Sequence, residues 1–199
     1  MDYYISIVFF AALAYLIGSI STAIITCKIM GLNDPRTIGS RNPGATNVLR
    51  HGSKKAAIIT LTGDMLKGLL PVLIVTQFQA DPLSVAAVGL FAFLGHLFPL
   101  YYGFKGGKGV ATYYGVILGM NWQVGIIAIA IWLTVAALMK ISSLSALVSI
   151  TSTPFVLWYF SQSVELSSIA ALMSVLVVWR HLSNIRSLLK GEEAKIGQK

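Results

Sequence analysis

The 199-residue chain alternates between long apolar runs and short polar stretches. The apolar runs cover residues 3–26, 56–78, 83–102, 110–139, 144–160 and 166–179. A helix needs about 20 apolar residues to cross the hydrocarbon core of a bilayer. Most of the runs approach or exceed that length, so the pattern predicts membrane-spanning helices along nearly the whole chain.

Composition supports this interpretation. Apolar residues make up 56% of the chain and charged residues only 11%, whereas soluble proteins carry roughly 25% charged residues. These values exclude a soluble domain and a disordered chain, and the single cysteine, Cys27, excludes a disulfide scaffold. We predict an all-α polytopic integral membrane helical bundle that forms a single domain, 1–199. We predict no metal site and no cofactor, because the histidines lie far apart and no HExxH motif is present.

The distribution of charge predicts the topology, because lysine and arginine concentrate in cytoplasmic loops. The stretch 27–55 is rich in both and is predicted to be cytoplasmic, which puts the amino terminus outside. A single span over 110–139 would put the basic tail outside, whereas two segments that turn near Asn121 return every Lys and Arg except Lys67 to the cytoplasmic side. The outside then keeps only the acidic residues Asp2, Asp81 and Glu165.

These considerations predict seven spans, with the amino terminus outside and the carboxyl terminus in the cytoplasm. The fourth span would have only about twelve residues, and Gly115 and Gly119 would let it pack closely against a neighbour. Ser142, Ser143 and Ser145 are predicted to cap the start of the sixth span. The net charge of +8 is interpreted as attraction of cytoplasmic loops to anionic lipid, not as nucleic-acid binding.

The unusual polar chemistry lies in three predicted cytoplasmic stretches. The first, 34–50, combines Gly, Asn, Ser and Thr with arginines at 36, 41 and 50; arginine offers a bidentate fork for phosphate. The second, 104–112, reads Phe-Lys-Gly-Gly-Lys-Gly-Val-Ala-Thr and leads into the fourth span, whose helix start would attract an anion. The third, 179–195, places His181 and Asn184 three residues apart at the end of the last span. The simpler alternatives are a basic cytoplasmic loop for the first stretch, a flexible basic turn for the second, and a helix cap at His181 for the third.

Asp64 and Lys67 lie inside the second span, where ionisable groups are costly and point to a partner or an aqueous cavity. Their spacing allows an ion pair, and either a structural pair or a substrate contact is consistent with the sequence. The sequence has no GxSxG motif and no histidine followed by aspartate five positions later. An α/β-hydrolase serine and the HxxxxD pair of common glycerolipid acyltransferases are therefore excluded.

Together these stretches resemble the bacterial acyl-phosphate:glycerol-3-phosphate acyltransferases, the PlsY family. The matching segments are residues 31–50, 64–68, 95–112 and 180–195, so the resemblance covers nearly the whole chain. The resemblance implies transfer of an acyl group from acyl phosphate to the 1-hydroxyl of sn-glycerol 3-phosphate, giving lysophosphatidic acid and phosphate. It also implies a cytoplasm-facing site in the bacterial inner membrane and a functional link to a phosphate acyltransferase that supplies acyl phosphate.

By the same resemblance, residues are assigned roles at the site. The catalytic candidates are Ser40, Arg50, Lys108, His181 and Asn184; the phosphate-binding candidates are Asn47, Lys105, Gly106, Gly107 and Gly109; the supporting residues are Asp64, Lys67 and Glu193. An acyl phosphate is already an activated mixed anhydride, so we expect direct transfer without an acyl-enzyme. The base would be the donor phosphate or His181.

One position departs from the family pattern, which usually reads Gly-Ser-Gly-Asn where this chain has Arg41. Arginine there would add a phosphate contact or, with positive φ, strain the loop by roughly 1 kcal/mol or more. The main alternative function is a transporter or flippase of a phosphorylated solute or lipid, which intramembrane charges and a short span would also suit. A purely structural subunit is the third possibility.

Overall fold

The computed structural model describes residues 3–78 and 80–197, which contain helices and no strands. The α-helices are α1 (Tyr3–Gly18), α2 (Thr22–Ile29), α3 (Ala45–His51), α4 (Lys54–Thr76), α5 (Pro82–Leu97), α6 (Val110–Met120), α7 (Trp122–Met139), α8 (Ser142–Ser161), α9 (Val164–Arg180) and α10 (Leu182–Leu189). A short 3-10 turn at Leu100–Tyr102 follows α5. Asp2 and Lys199, which enter the topology prediction, lie outside the described residues.

Five segments of the described chain are long and apolar enough to cross a membrane, and the prediction of an all-α membrane bundle is confirmed at this level. They are Ile7–Ile29, Lys54–Thr76, Pro82–Tyr102, Trp122–Met139 and Ser142–Ser161. Helices α9 and α10, bent by 60° at their junction, pass the same test as a pair, and α6 is a shorter apolar helix.

Side-chain caps define several helix starts. Asn121 has an extended backbone and accepts a 3.1 Å hydrogen bond from Val124 N, so the apolar run 110–139 is divided into α6 and α7 at the predicted residue. Ser163 caps α9 in the same way at 3.2 Å. The predicted cap of α8 is wrong, because its N-cap is Ile141 and no side chain bonds the helix start. Ser142, Ser143 and Ser145 bond other groups instead.

Glycines allow close packing of α6 in the core. A Cβ on Gly115 would lie 2.0 Å from Met65 O, and one on Gly119 would lie 2.8 Å from Val72, so both backbones approach α4 closely, as the sequence predicted. The interior between α6, α8 and α9 is fully buried around Tyr113, whose hydroxyl lies 3.1 Å from Ser174 Oγ. This packing holds the start of α6 against the end of α5, where the polar stretches meet.

Candidate active site

The glycine stretch 105–109 runs from the end of α5 to the start of α6, and its backbone is held on both sides. Gly106 N donates to Leu97 O and Gly107 N donates to His96 O, both at 3.2 Å. From α9, Arg180 Nη2 donates to Gly106 O at 2.8 Å and Arg180 Nε donates to Gly107 O at 3.2 Å. The amides of these two glycines are therefore not free for an anion.

What the stretch offers an anion is its lysines and the helix start. Lys105 is exposed, and Lys108 is partly buried beside the last helix. Gly109 has φ +89°, which favours glycine, and its carbonyl accepts the first hydrogen bond of α6 from Tyr113 N. The first N–H groups of α6 thus lack a helical partner, and the positive end of the helix dipole lies next to Lys108.

A chain of polar contacts joins the glycine stretch to the last helix and the tail. Lys108 Nζ donates to Asn184 Oδ1. Asn184 Nδ2 donates to Glu193 Oε1 at 2.6 Å, and Ser143 Oγ from α8 donates to the same oxygen at 2.6 Å. Burial lowers the pKa of Lys108, and the neighbouring Arg180 and Arg50 lower it further, while Glu193 opposes the shift. Three segments that are distant in sequence therefore meet around one ammonium group.

The first polar stretch reaches the same place through its end. Arg50 Nη2 donates to Ala194 O in the tail at 3.0 Å, while its buried Nε has no partner among the described residues. Thr46 Oγ1 lies 3.2 Å from Ser142 Oγ at the start of α8. Arg50 lies close enough to Lys108 to lower its pKa, and only Nη2 of its guanidinium is bonded among the described residues, which leaves donor capacity for an anionic ligand.

Asn47 shapes the turn that carries Ser40. Its side chain is buried; Nδ2 donates to Pro35 O at 2.8 Å and to Ile38 O at 3.1 Å, and Oδ1 accepts from Ser40 N at 3.2 Å. Both Asn47 N–H groups are thus used by the loop, so the predicted phosphate contact of Asn47 has no free donor. Ser40 itself is exposed, and its hydroxyl is not bonded to the glycine stretch or to α10 in the described part of the chain.

Arg41 adopts φ +56°, in the left-handed region. The alternative of a strained arginine at this position therefore applies, because a side chain with a Cβ is disfavoured there. Its N–H donates to Ile38 O at 3.0 Å, so the strained turn is closed by a hydrogen bond. The Arg41 side chain is exposed.

His181 follows the last residue of α9, at the bend before α10, and is 3% exposed. Its Nδ1 lies 2.8 Å from Val177 O, which fits a neutral ring with the proton on Nδ1 and a free lone pair on Nε2. Burial lowers the pKa of His181 to about 4, with Lys108 and Arg180 contributing. The ring is therefore neutral at pH 7.

The intramembrane pair predicted from spacing is formed: Lys67 Nζ lies 2.8 Å from Asp64 Oδ1 and donates to Ile20 O at 2.7 Å. His96 Nδ1 lies 3.7 Å from the same carboxylate oxygen. At the other edge of the His96 ring, Nε2 would lie 2.2 Å from a Cβ on Gly107, so the ring packs directly against that glycine. The Asp64–Lys67 pair therefore lies inside the bundle, next to the histidine against which the glycine stretch packs.

Comparison with known proteins gives these features a family. The model of the family described as Glycerol-3-phosphate acyltransferase matches residues 8–191. A glycerol-3-phosphate acyltransferase of Thioalkalivibrio sulfidiphilus is 58% identical over 186 residues, 94% of this chain and 92% of the relative. One of Methylococcus capsulatus is 53% identical over 186 residues, 94% of each chain. This chain belongs to the glycerol-3-phosphate acyltransferase family.

Solved structures of family members agree. The crystal structure of PlsY, described as an integral membrane glycerol 3-phosphate acyltransferase in its glycerol 3-phosphate form, matches with a TM-score of 0.92 and 36% identity over 96% of both chains. Its lysophosphatidic acid form matches with a TM-score of 0.90 and 35% identity over 96% of both chains. The resemblance drawn from the motifs is thereby confirmed, and the fold of this chain is that of PlsY over 96% of its length.

Sequence reasoning missed two long-range contacts of the candidate site. Ser143 was assigned to helix capping, and its hydrogen bond to Glu193 spans 50 residues. Arg180 lies within the third polar stretch and has no predicted role, although its guanidinium holds the glycine carbonyls 73 and 74 residues away. The available signal was the arginine directly preceding His181 at a span end, where a basic residue is otherwise explained by the lipid interface.

Proposed function

We propose that this chain transfers a fatty acyl group from acyl phosphate to the 1-hydroxyl of sn-glycerol 3-phosphate, giving lysophosphatidic acid and phosphate. The proposal rests on the hydrogen bonds that join Lys108 to Asn184 and Asn184 to Glu193, with Arg50 nearby. These contacts bring the three polar stretches of the sequence together at one positively charged site. Both reactants are phosphate monoanions or dianions, and cationic side chains in a partly dehydrated site bind such groups strongly.

The reaction balances without a protein nucleophile. The 1-hydroxyl oxygen attacks the acyl carbonyl carbon, the bond from that carbon to the phosphate oxygen breaks, and phosphate leaves with the electron pair. The protein's contribution is to hold the two anions, orient the hydroxyl and stabilise the developing oxyanion. The donors for these tasks come from Lys105, Lys108, Arg50, Ser40 and the start of α6 at Gly109.

The hydroxyl proton goes either to a phosphate oxygen of the donor or to Nε2 of His181. The neutral His181 ring, held through Nδ1, presents Nε2 as an acceptor, which supports the second route. Turnover of H181Q separates the two: activity near the wild-type value dismisses histidine as an obligatory base. Isolation of an acylated enzyme would contradict direct transfer altogether.

We further propose seven spans in a single domain, 1–199, with α6 as the short fourth span and α9 as the last. The amino terminus lies outside and the carboxyl terminus in the cytoplasm of the bacterial inner membrane, so the site faces the cytoplasm. This orientation leaves Lys67 as the one basic residue outside the cytoplasmic segments. Labelling of single cysteines introduced at exposed Lys190 and at Gln162 in a C27S background, in intact cells and in inverted vesicles, should give opposite sidedness.

The deciding experiment uses purified protein in detergent micelles, supplied with acyl phosphate and glycerol 3-phosphate. We expect release of inorganic phosphate that depends on both substrates and yields lysophosphatidic acid in equal amount. Acyl-CoA and acyl carrier protein should not replace the donor, which fits a phosphate acyltransferase as the upstream partner. A transporter or flippase would release no phosphate, because micelles have no two sides to transport between. A structural subunit would be insensitive to substitution of Lys108 or Asn184.

A further inference from the structure

The peptide groups of Gly106 and Gly107 are fully engaged by the protein itself. Their N–H groups donate to the carbonyls of Leu97 and His96 at the end of α5, and their carbonyls accept from the single guanidinium of Arg180. The two glycines therefore lie between α5 on one side and Arg180 on the other. These hydrogen bonds restrict the backbone of the two glycines to one conformation, which is in place before a ligand binds.

The absence of side chains at these glycines is required by the α5 side of this arrangement. A Cβ on Gly106 would lie 2.0 Å from His96 O, and one on Gly107 would lie 2.2 Å from His96 Nε2. Neither glycine has positive φ, so contact with His96, and not backbone freedom, explains the residue type. The loop therefore packs against His96. The opposite edge of that ring lies next to the carboxylate of Asp64, which is paired with Lys67.

The Arg180 side sets the orientation of the next peptide. The carbonyl that Arg180 Nε binds belongs to the peptide unit whose N–H is that of Lys108. In a trans peptide the N–H points opposite to the C=O, so the Lys108 N–H is directed away from Arg180. Arg180 thus fixes the backbone from which the Lys108 side chain and α6 begin.

Arg180 has no carboxylate partner among the described residues, and its guanidinium lies over the Trp179 ring at 5.8 Å. A half-buried guanidinium without a counter-ion is normally avoided. Here its planar fork is matched to two successive carbonyls, a geometry that lysine cannot reproduce. The cost of holding this charge is consistent with a functional demand for a fixed loop.

We propose that Arg180 is a positioning residue that clamps the Gly106–Gly107 backbone against His96 and so places Lys108 and the start of α6 for phosphate binding. The clamp rests on the proposed acyl transfer, because its effect is read in that reaction. Arg180 itself bonds only protein carbonyls and does not need to touch substrate.

The test compares R180Q, R180K and R180A with R186Q in the micelle assay. Arg186 is exposed and follows on α10, so R186Q removes the same charge without touching the loop. We expect R180Q to raise the KM for a phosphate-bearing substrate about 10- to 100-fold, as for a lost pair of charge-assisted hydrogen bonds. The KM of R180K should lie between the values of the wild type and R180Q, and the KM of R186Q should stay near the wild-type value.

Rescue distinguishes positioning from mere structural support. Added guanidinium should restore part of the activity of R180A, since a free guanidinium can bind the two carbonyls, and should restore none in K108A. Equal losses in R180Q and R186Q, an unchanged KM in R180Q, or R180A activity that guanidinium does not improve would each overturn the clamp. If the wild type itself forms no lysophosphatidic acid, the proposed function fails instead.

Discussion

The side-chain amide of Asn184 donates a 2.6 Å hydrogen bond to Oε1 of Glu193, and this contact determines which end of the amide faces Lys108. With its N–H₂ committed to the carboxylate, Asn184 turns its carbonyl oxygen toward the ammonium group. Glu193 also accepts a hydrogen bond from Ser143. One carboxylate in the tail therefore orients the amide that holds the lysine of the glycine stretch.

The first prediction concerns that carboxylate. E193A leaves Asn184 Nδ2 and Ser143 Oγ without their acceptor, so it should lower the free energy of unfolding by about 1–3 kcal/mol. E193Q keeps a carbonyl oxygen in place and should lose less. Thermal unfolding in micelles and turnover of the two variants are the measurements. The exposed neighbour Glu192 supplies the control E192A, and an E193A protein as stable as E192A would contradict the prediction.

The second prediction concerns Asn47, which holds the 34–41 turn through three hydrogen bonds. N47A should loosen that turn and cost about 1–3 kcal/mol, because buried donors and acceptors lose partners. N47D should be worse, since a carboxylate oxygen would face the carbonyls of Pro35 and Ile38. Amide hydrogen exchange across the turn, compared with the exposed-site control N33A, measures the loosening. Exchange in N47A no faster than in N33A would show that the turn is held by other contacts.

The sequence was sufficient for features that depend on local pattern. Apolar runs predicted the helices, the distribution of Lys and Arg predicted a break near Asn121, and Gly115 and Gly119 predicted close packing of α6, which the structure places against α4. Serine near a helix start was interpreted wrongly at Ser143, because a distant acceptor, Glu193, competes with the local cap. Contacts of this kind depend on how the chain bends, and no local pattern encodes the 60° turn after Arg180.

The third prediction concerns Arg41, which has positive φ in the first polar stretch. Because Arg41 has φ +56°, R41G should relieve backbone strain and raise the free energy of unfolding by up to about 1 kcal/mol. The side chain is exposed and its loss should leave turnover near the wild-type value unless it contacts phosphate. Thermal unfolding together with KM for both substrates decides between strain alone and strain with a phosphate contact. R41A, which removes the side chain but keeps a Cβ, should not share the gain in stability.

The last prediction concerns pH and His181. Since the pKa of His181 is lowered to about 4 in the folded protein from an ordinary value of about 6.5, the unfolded chain binds a proton that the folded one does not. The free energy of unfolding is therefore unaffected by His181 above about pH 6.5. It falls as the pH drops toward 4, by up to about 3 kcal/mol at 1.36 kcal/mol per pKa unit. H181Q does not titrate there, so the wild type should lose more stability than H181Q between pH 6.5 and 4. Parallel unfolding curves for the two proteins would mean that the folded protein protonates His181 as readily as the unfolded chain does, and the lowered pKa of the buried ring would then be wrong.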